Sequence, residues 1–351
     1  MLMNNKIKIS DRFIGHGCPV FIIAEAGVNH NGSIELAKKM INVAKESGAD
    51  AIKFQTFKTE NMTIKNAQKA EYQEKATGEG NQYEMLKNLE LTDAEFIELA
   101  EYAKKKDIIF LSTPFDKPSV DLLEGLGVSA YKIGSGELTN NPLLKYIAEK
   151  GKPIILSTGM AYLGEIEDAL NVIRETGVEN IVLLHCVSSY PTKSEDINLN
   201  TIHTLRSAFK LPTGFSDHTI GIIMPIVAVA LGACVIEKHF TLDKKLPGPD
   251  HSSSLDPDEL TLMVKSIKET QVALGNGIIK PTPEEEKNME VVRKSIVSSM
   301  DLQKGSILTE EMIDFKRPGT GISPKFHDKI LGKKVKDFIK KDELILWKHL
   351  E

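Results

Sequence analysis

The sequence predicts an α/β fold of the (β/α)₈ barrel type, a TIM barrel, followed by a small β-rich domain. Short apolar segments alternate with amphipathic stretches eight times, over roughly the 250 residues typical of such a barrel. Most of the apolar segments turn polar toward their C-terminal ends, where a barrel keeps its chemistry. After Gly275 the composition changes to a proline-opened acidic run and a short, separate pattern.

In order, the strands are FIIAEAG (21–27), AIKFQTF (51–57), IIFLSTPF (108–115), AYKIGSG (130–136), PIILSTG (153–159), IVLLHCVS (181–188), TGFSDH (213–218) and VIEKHF (235–240). Runs rich in Val, Ile and Leu suit strands buried on both faces. Helical periodicity fills the intervals, as at 34–47, 94–106 and 163–176. Two helix starts carry capping signals, Thr92 with Glu95 and Asp256 with Pro257 and Glu259. Such side chains satisfy N–H groups that the first turn leaves free. A doubly wound sheet is the structural alternative, but no GxGxxG follows the first strand and nothing marks a reversal of strand order. The polar connection 58–91 is either a lid or substrate wall at the catalytic face, or a disordered insertion. The expected division is a barrel at 1–280, a linker at 281–290 and a small domain at 291–351. So small a unit has a limited core and is expected to work in contact with a barrel.

The chain has 351 residues, 41% hydrophobic and 26% charged, with a net charge of −5. That balance argues against broad nucleic-acid binding. The start, MLMNNKIKIS, lacks the apolar core of a signal peptide. The longest apolar run, 221–236, is interrupted by Pro225 and Gly232 and is too short to span a bilayer. The dispersed cysteines Cys18, Cys186 and Cys234 read as reduced thiols of a cytoplasmic protein.

Strand parity then selects candidate site residues. Residues two apart point to one face, and the polar pairs share parity: Lys53 with Gln55, Ser188 with Tyr190, Ser216 with His218, Glu237 with His239. His218 and His239 end adjacent strands, so their imidazoles can converge on one cation. Two imidazoles leave coordination positions open, which suits Mn²⁺ or Mg²⁺ better than a closed zinc site. His185 has the opposite parity to Ser188 and Tyr190 and is assigned to structure. Lys53 and Lys132, with the hydroxyls of Thr113, Ser135, Ser157 and Ser216, form a donor set able to hold phosphate and carboxylate together. Glu25 and Asp250 offer carboxylates for sugar hydroxyls or proton transfer, although Asp250 also fits a plain turn aspartate.

With these residues in place, EAGVNHNG (25–32), KFQTF (53–57), KIGSGE (132–137), GFSDHT (214–219), IEKHFTLD (236–243) and GPDH (248–251) resemble the N-acetylneuraminate (sialic acid) synthase family. The tail KRPGTGIS (316–323) resembles that family's antifreeze-like SAF domain. The resemblance implies metal-dependent condensation of phosphoenolpyruvate with an N-acetylmannosamine-type amino sugar in a domain-swapped homodimer. It implies metal binding by His218 and His239, and phosphoenolpyruvate contacts from Lys53, Thr113, Lys132, Ser135, Ser157, Ser188 and Ser216. Many members have Asn at the position of Ser188. Sugar contacts fall on Gln55, Tyr190, Asp250 and, from the partner chain, Arg317. Glu25 and Glu237 stand beside the reacting centre with Lys53. Sugars of the legionaminic or pseudaminic acid series are the alternative substrates. A 3-deoxy-ulosonic acid synthase would want further arginines for a second phosphate, and a catalytically silent sugar-binding protein would have lost His218, His239 or Lys53.

Overall fold

The chain enters through a hairpin that the sequence reading passed over. Strands β1 (Ile7–Ile9) and β2 (Arg12–Ile14) pair antiparallel, with Ile7 opposite Ile14. Its alternation puts Ile7, Ile9 and Ile14 on one buried face. The computed structural model describes residues 6–351, so the beginning of the polar start, residues 1–5, lies outside the described residues.

All eight predicted strands form: β3 (Phe21–Gly27), β4 (Ala51–Thr56), β5 (Ile109–Pro114), β6 (Tyr131–Ile133), β7 (Ile154–Ser157), β8 (Ile181–Cys186), β9 (Thr213–Asp217) and β10 (Val235–His239). They make one sheet in which β10 returns to pair with β3, and every recorded pairing is parallel. The barrel is nearly closed, with β5 and β6 at the ends of the hydrogen-bonded order. Most strands stop earlier than expected. Strand β6 ends at Ile133 because Gly134 leads into a single 3₁₀ turn, Ser135–Glu137. Ser135 therefore sits on a turn, and Ser188 and Tyr190 lie beyond the end of β8, so strand parity does not govern them.

Around the sheet run α1 (Ile34–Glu46), then the short α2 (Thr59–Met62), α3 (Glu71–Thr77) and α4 (Gln82–Lys87), then α5 (Asp93–Lys105), α6 (Lys117–Gly125), α7 (Asn141–Ala148), α8 (Leu163–Arg174), α9 (Thr201–Phe209), α10 (Ile223–Ala230) and α11 (Pro257–Leu274). The Thr92–Glu95 and Asp256–Glu259 capping boxes both form. The connection read as a lid or a disordered insertion folds as α2 to α4, pinned by Met85, Leu86 and Leu89 against Val28 and Phe57. Among the described residues no helix is long and apolar enough to cross a membrane.

One compact unit ends at Gly275 and a second spans Asn276–Glu351. In the second, the acidic stretch read as a linker is mostly helical. Thr282 caps α12 (Pro283–Val292), with Glu285 returning the bond. Three glutamates in its first turn favour this start, where the helix dipole is positive. Strands β11 (Ser295–Ser298) and β12 (Ile313–Lys316) pair antiparallel, and α13 (His327–Ile330) follows. Ile296, Leu302, Ile322, Val335, Ile339 and Ile345 fill its core.

Candidate active site

The barrel interior begins with an apolar floor. Ile23, Ala51, Leu111, Ala130, Ile155, Leu184 and Val235 pack together inside the sheet with the hairpin isoleucines. Two residues further along each strand, the inward positions become Glu25, Lys53, Thr113, Lys132, Ser157, Cys186 and Glu237. Ser216 belongs to the same ring, because its hydroxyl meets Glu237. The polar ring thus lies directly above the floor, and all eight residues are buried.

Contacts within the ring run from strand to strand. Lys53 Nζ donates to Thr113 Oγ1 at 2.9 Å and stands 2.8 Å from Glu25 Oε2. It is also 3.8 Å from Glu237 Oε2. Lys132 Nζ donates to Ser157 Oγ at 2.8 Å and lies 3.3 Å from Glu237 Oε1, which accepts the Ser216 hydroxyl at 2.8 Å. Above Lys132, the Ser135 hydroxyl accepts the Gly159 N–H at 3.0 Å. A Cβ on residue 159 would come within 2.5 Å of Ser188 Oγ and 2.7 Å of Ser135 Oγ, so glycine is what lets both hydroxyls approach.

These contacts separate the two glutamates chemically. Burial raises Glu25 to about 7, against the pull of Lys53. Burial acts on Glu237 too, but Lys132, Lys53 and the Ser216 hydroxyl outweigh it and hold it at about 2. Burial works against the charge on Lys53, yet Glu237 and Glu25 leave it above its usual value. Lys132 is drawn below its own. Two carboxyls within one cluster thereby take opposite protonation tendencies, a pattern suited to acid–base work.

At the mouth stand the two histidines, with ring centroids 5.6 Å apart. His218 Nδ1–H donates to the Val187 carbonyl at 2.7 Å, which turns Nε2 outward as a lone-pair donor. Burial, then His218, pushes His239 well below the usual imidazole range, so its ring is neutral. His239 Nδ1 is buried and has no hydrogen-bond partner among the described residues. A His218 ring whose Nδ1–H is already spent on a carbonyl, beside a His239 nitrogen without a partner, fits a divalent cation. Among the described residues no three His, Cys, Asp or Glu side chains cluster to hold one alone. The remaining ligands would be oxygens of water and substrate.

Tyr190 lies over this pair, 4.1 Å from the His218 ring and 5.9 Å from that of His239. Its outer face stacks on Tyr72 of α3 at 5.0 Å. Asp250 is buried near both, and burial raises its carboxyl to about 6. Gln55 is half-buried, in register with Thr113. His185 faces outward, stacked on Phe215 and bonded to the Ile197 carbonyl; the parity that places it there is set by Leu184 and Cys186 on β8, not by Ser188 and Tyr190. Arg317 belongs to the second unit, where it is exposed and its Nε donates to the Val292 carbonyl. Two site residues were missed. Cys186, read only as a reduced thiol, lies in the ring with its Sγ 3.8 Å from His218 Nδ1; its shared parity with Leu184 would have revealed it. Tyr72 lies in the insertion, where no periodicity aims a side chain.

The NeuB family pattern matches residues 40–279, and the SAF domain pattern matches residues 293–351. The chain is 53% identical to N,N'-diacetyllegionaminic acid synthase of Campylobacter jejuni, over 92% of this chain and 98% of that protein. It is 47% identical to the Legionella pneumophila enzyme of the same name, over 96% of each. Among solved structures, N-acetylneuraminic acid synthetase of Leptospira borgpetersenii is 39% identical, with a TM-score of 0.72 over 82% of this chain and 95% of that one.

Proposed function

The chain belongs to the NeuB family, and on that premise we propose that it joins phosphoenolpyruvate to the aldehyde of a 6-deoxy-2,4-diacetamido hexose, releasing phosphate and a legionaminic acid. The observation that carries the reaction class is the buried Lys53–Glu25–Glu237–Lys132 cluster lying beneath a histidine pair. The choice of sugar follows the relatives at 53% and 47% identity over the 39% of the neuraminic acid synthetase. N-acetylmannosamine, the sugar expected first, becomes the second reading.

In this scheme Lys53 and Lys132, with Thr113, Ser135, Ser157, Ser188 and Ser216, hold the phosphate and carboxylate of phosphoenolpyruvate. Charge-assisted donors fixed by buried partners need little reorganisation when the anion arrives. Tyr190, Asp250 and Gln55 orient the sugar, which turns a two-body encounter into a positioned one. As C3 forms its bond to the aldehyde carbon, the aldehyde oxygen gains an electron pair and needs a proton. Glu25, raised to about 7, is the carboxyl able to hold and deliver it. Glu237 stays ionised and takes the proton of the water that adds at C2, before phosphate leaves. His218 and His239 would hold Mn²⁺ or Mg²⁺, which when bound supplies Lewis-acid polarisation of the aldehyde oxygen. In a domain-swapped homodimer, Arg317 of each chain completes the other's sugar pocket.

Phosphate release should be measured with each candidate sugar under Mn²⁺, Mg²⁺ or a chelator. We expect the diacetamido sugar to give the highest kcat/KM, chelation to abolish turnover, and the His218→Ala/His239→Ala variant to stay folded and inactive. Faster turnover of N-acetylmannosamine would reverse the sugar assignment. Full turnover by the double variant under chelation would remove the metal.

A further inference from the structure

Strands β9 and β10 carry a second charge pair on the face opposite the polar ring. Asp217 and Lys238 are register partners, of opposite parity to Ser216 and Glu237. Their side chains are 0% exposed, and Lys238 Nζ lies 2.6 Å from Asp217 Oδ2. Neither touches the pocket side of the sheet. A fully buried ion pair is a poor device for stability alone, because desolvation offsets the attraction. The contacts here indicate another use.

Asp217 Oδ1 accepts the Thr219 N–H at 2.9 Å, and Oδ2 accepts the Thr219 hydroxyl at 3.1 Å. Lys238 Nζ donates to the Thr219 carbonyl as well. The pair therefore grips the amide, carbonyl and side chain of the residue after His218. Meanwhile Asp217 precedes His218, and Lys238 precedes His239. One ion pair behind the barrel wall thus ties together the two strand ends that carry the imidazoles. From the opposite side, His218 is held by its own bond to Val187 and by Thr192 N–H donating to the His218 carbonyl at 2.8 Å.

We propose that Asp217 and Lys238 are positioning residues that fix the separation and aim of His218 and His239 for a divalent cation, from outside the pocket. The inference rests on the metal reading of that histidine pair. An imidazole pair supplies only two ligands, so its affinity depends on both rings being held in place before the cation arrives.

The test is Mn²⁺ binding to the full chain without substrates, followed by the EPR signal of free Mn²⁺. Phosphoenolpyruvate affinity is measured alongside by calorimetry. Lys238→Met alone leaves a buried uncompensated carboxylate and risks misfolding, so the informative variant is Lys238→Met with Asp217→Asn. That variant removes both charges and keeps an acceptor for the Thr219 N–H. We expect a folded protein whose Mn²⁺ affinity is lower by about 10- to 100-fold, with phosphoenolpyruvate affinity within about threefold of wild type. A general loss of shape would weaken both ligands together, and that result overturns the proposal. So does unchanged Mn²⁺ affinity in the folded double variant. Wild-type protein that fails to bind Mn²⁺ at all sinks the metal reading itself and this inference with it, which separates the two failures.

Discussion

At the scale of single residues, the fold holds several titratable groups away from their ordinary charge states. His30 illustrates the cost. It is 1% exposed, its Nδ1 accepts the Gly32 N–H at 3.1 Å, and its Nε2 has no partner among the described residues. Burial lowers it from 6.5 to about 4. Between those values the unfolded chain binds a proton that the folded chain refuses. Stability tied to this residue is therefore complete above pH 6.5 and falls as pH drops toward 4. Denaturant unfolding at pH 7.5 and 4.5 should show His30→Gln losing less stability than wild type, by up to about 3 kcal/mol. Equal losses would mean that His30 is already protonated or solvated. The sequence made the inward residues legible because one strand obeys one parity. Lys53, Thr113, Lys132, Ser157, Ser216 and Glu237 all follow from that rule. Cys186 obeyed it too, but a thiol carries no polar flag. Asp217 and Lys238 were passed over, although a charge at a helix-facing position that should be apolar was a signal.

At the scale of elements, the eight strands were readable because parallel strands buried twice over must be apolar almost throughout. Strand ends were less so, since a glycine such as Gly134 starts a turn without interrupting hydrophobicity. The insertion between β4 and α5 was the least legible part. Its helices are short and polar, and three-dimensional contact with Phe57 and Val28, rather than periodicity, fixes them. It brings Tyr72 to the site, where the ring extends the aromatic stack of Tyr190 and His218 outward. Removing that ring with Tyr72→Ala should raise the KM for the sugar about 3- to 10-fold, the worth of one aromatic contact. The KM for phosphoenolpyruvate, which the proposed function places deeper, should stay put. A matching rise in both would show that α3 supports the whole mouth rather than the sugar.

At the scale of the molecule, the proposed reach of Arg317 into a partner's barrel can be tested. Coexpressing Arg317→Ala with His239→Ala gives an answer by symmetry. If arginines cross between chains, a mixed dimer contains one intact barrel supplied with one intact arginine. Random pairing should then recover about a quarter of wild-type activity, although each variant alone should be nearly inactive. If each arginine serves its own chain, the mixture stays as poor as its parts. The composition change after Gly275 announced a second unit, but the acidic stretch gave no sign of its helix except the Thr–Pro–Glu capping pattern at 282–285.

The entry hairpin has a consequence for traffic. Ile7, Ile9 and Ile14 stopper the end of the barrel opposite the histidines, joining Phe21, Val182 and Val235 in one buried apolar cluster. On the proposed reaction, both reactants and both products would pass the end that carries the histidines. Phosphate would then be left among Lys53, Lys132 and the serines that receive the next phosphoenolpyruvate. Inorganic phosphate should therefore inhibit in competition with phosphoenolpyruvate and not with the sugar, and inhibition patterns at varied concentrations of each would reveal a second exit if one existed.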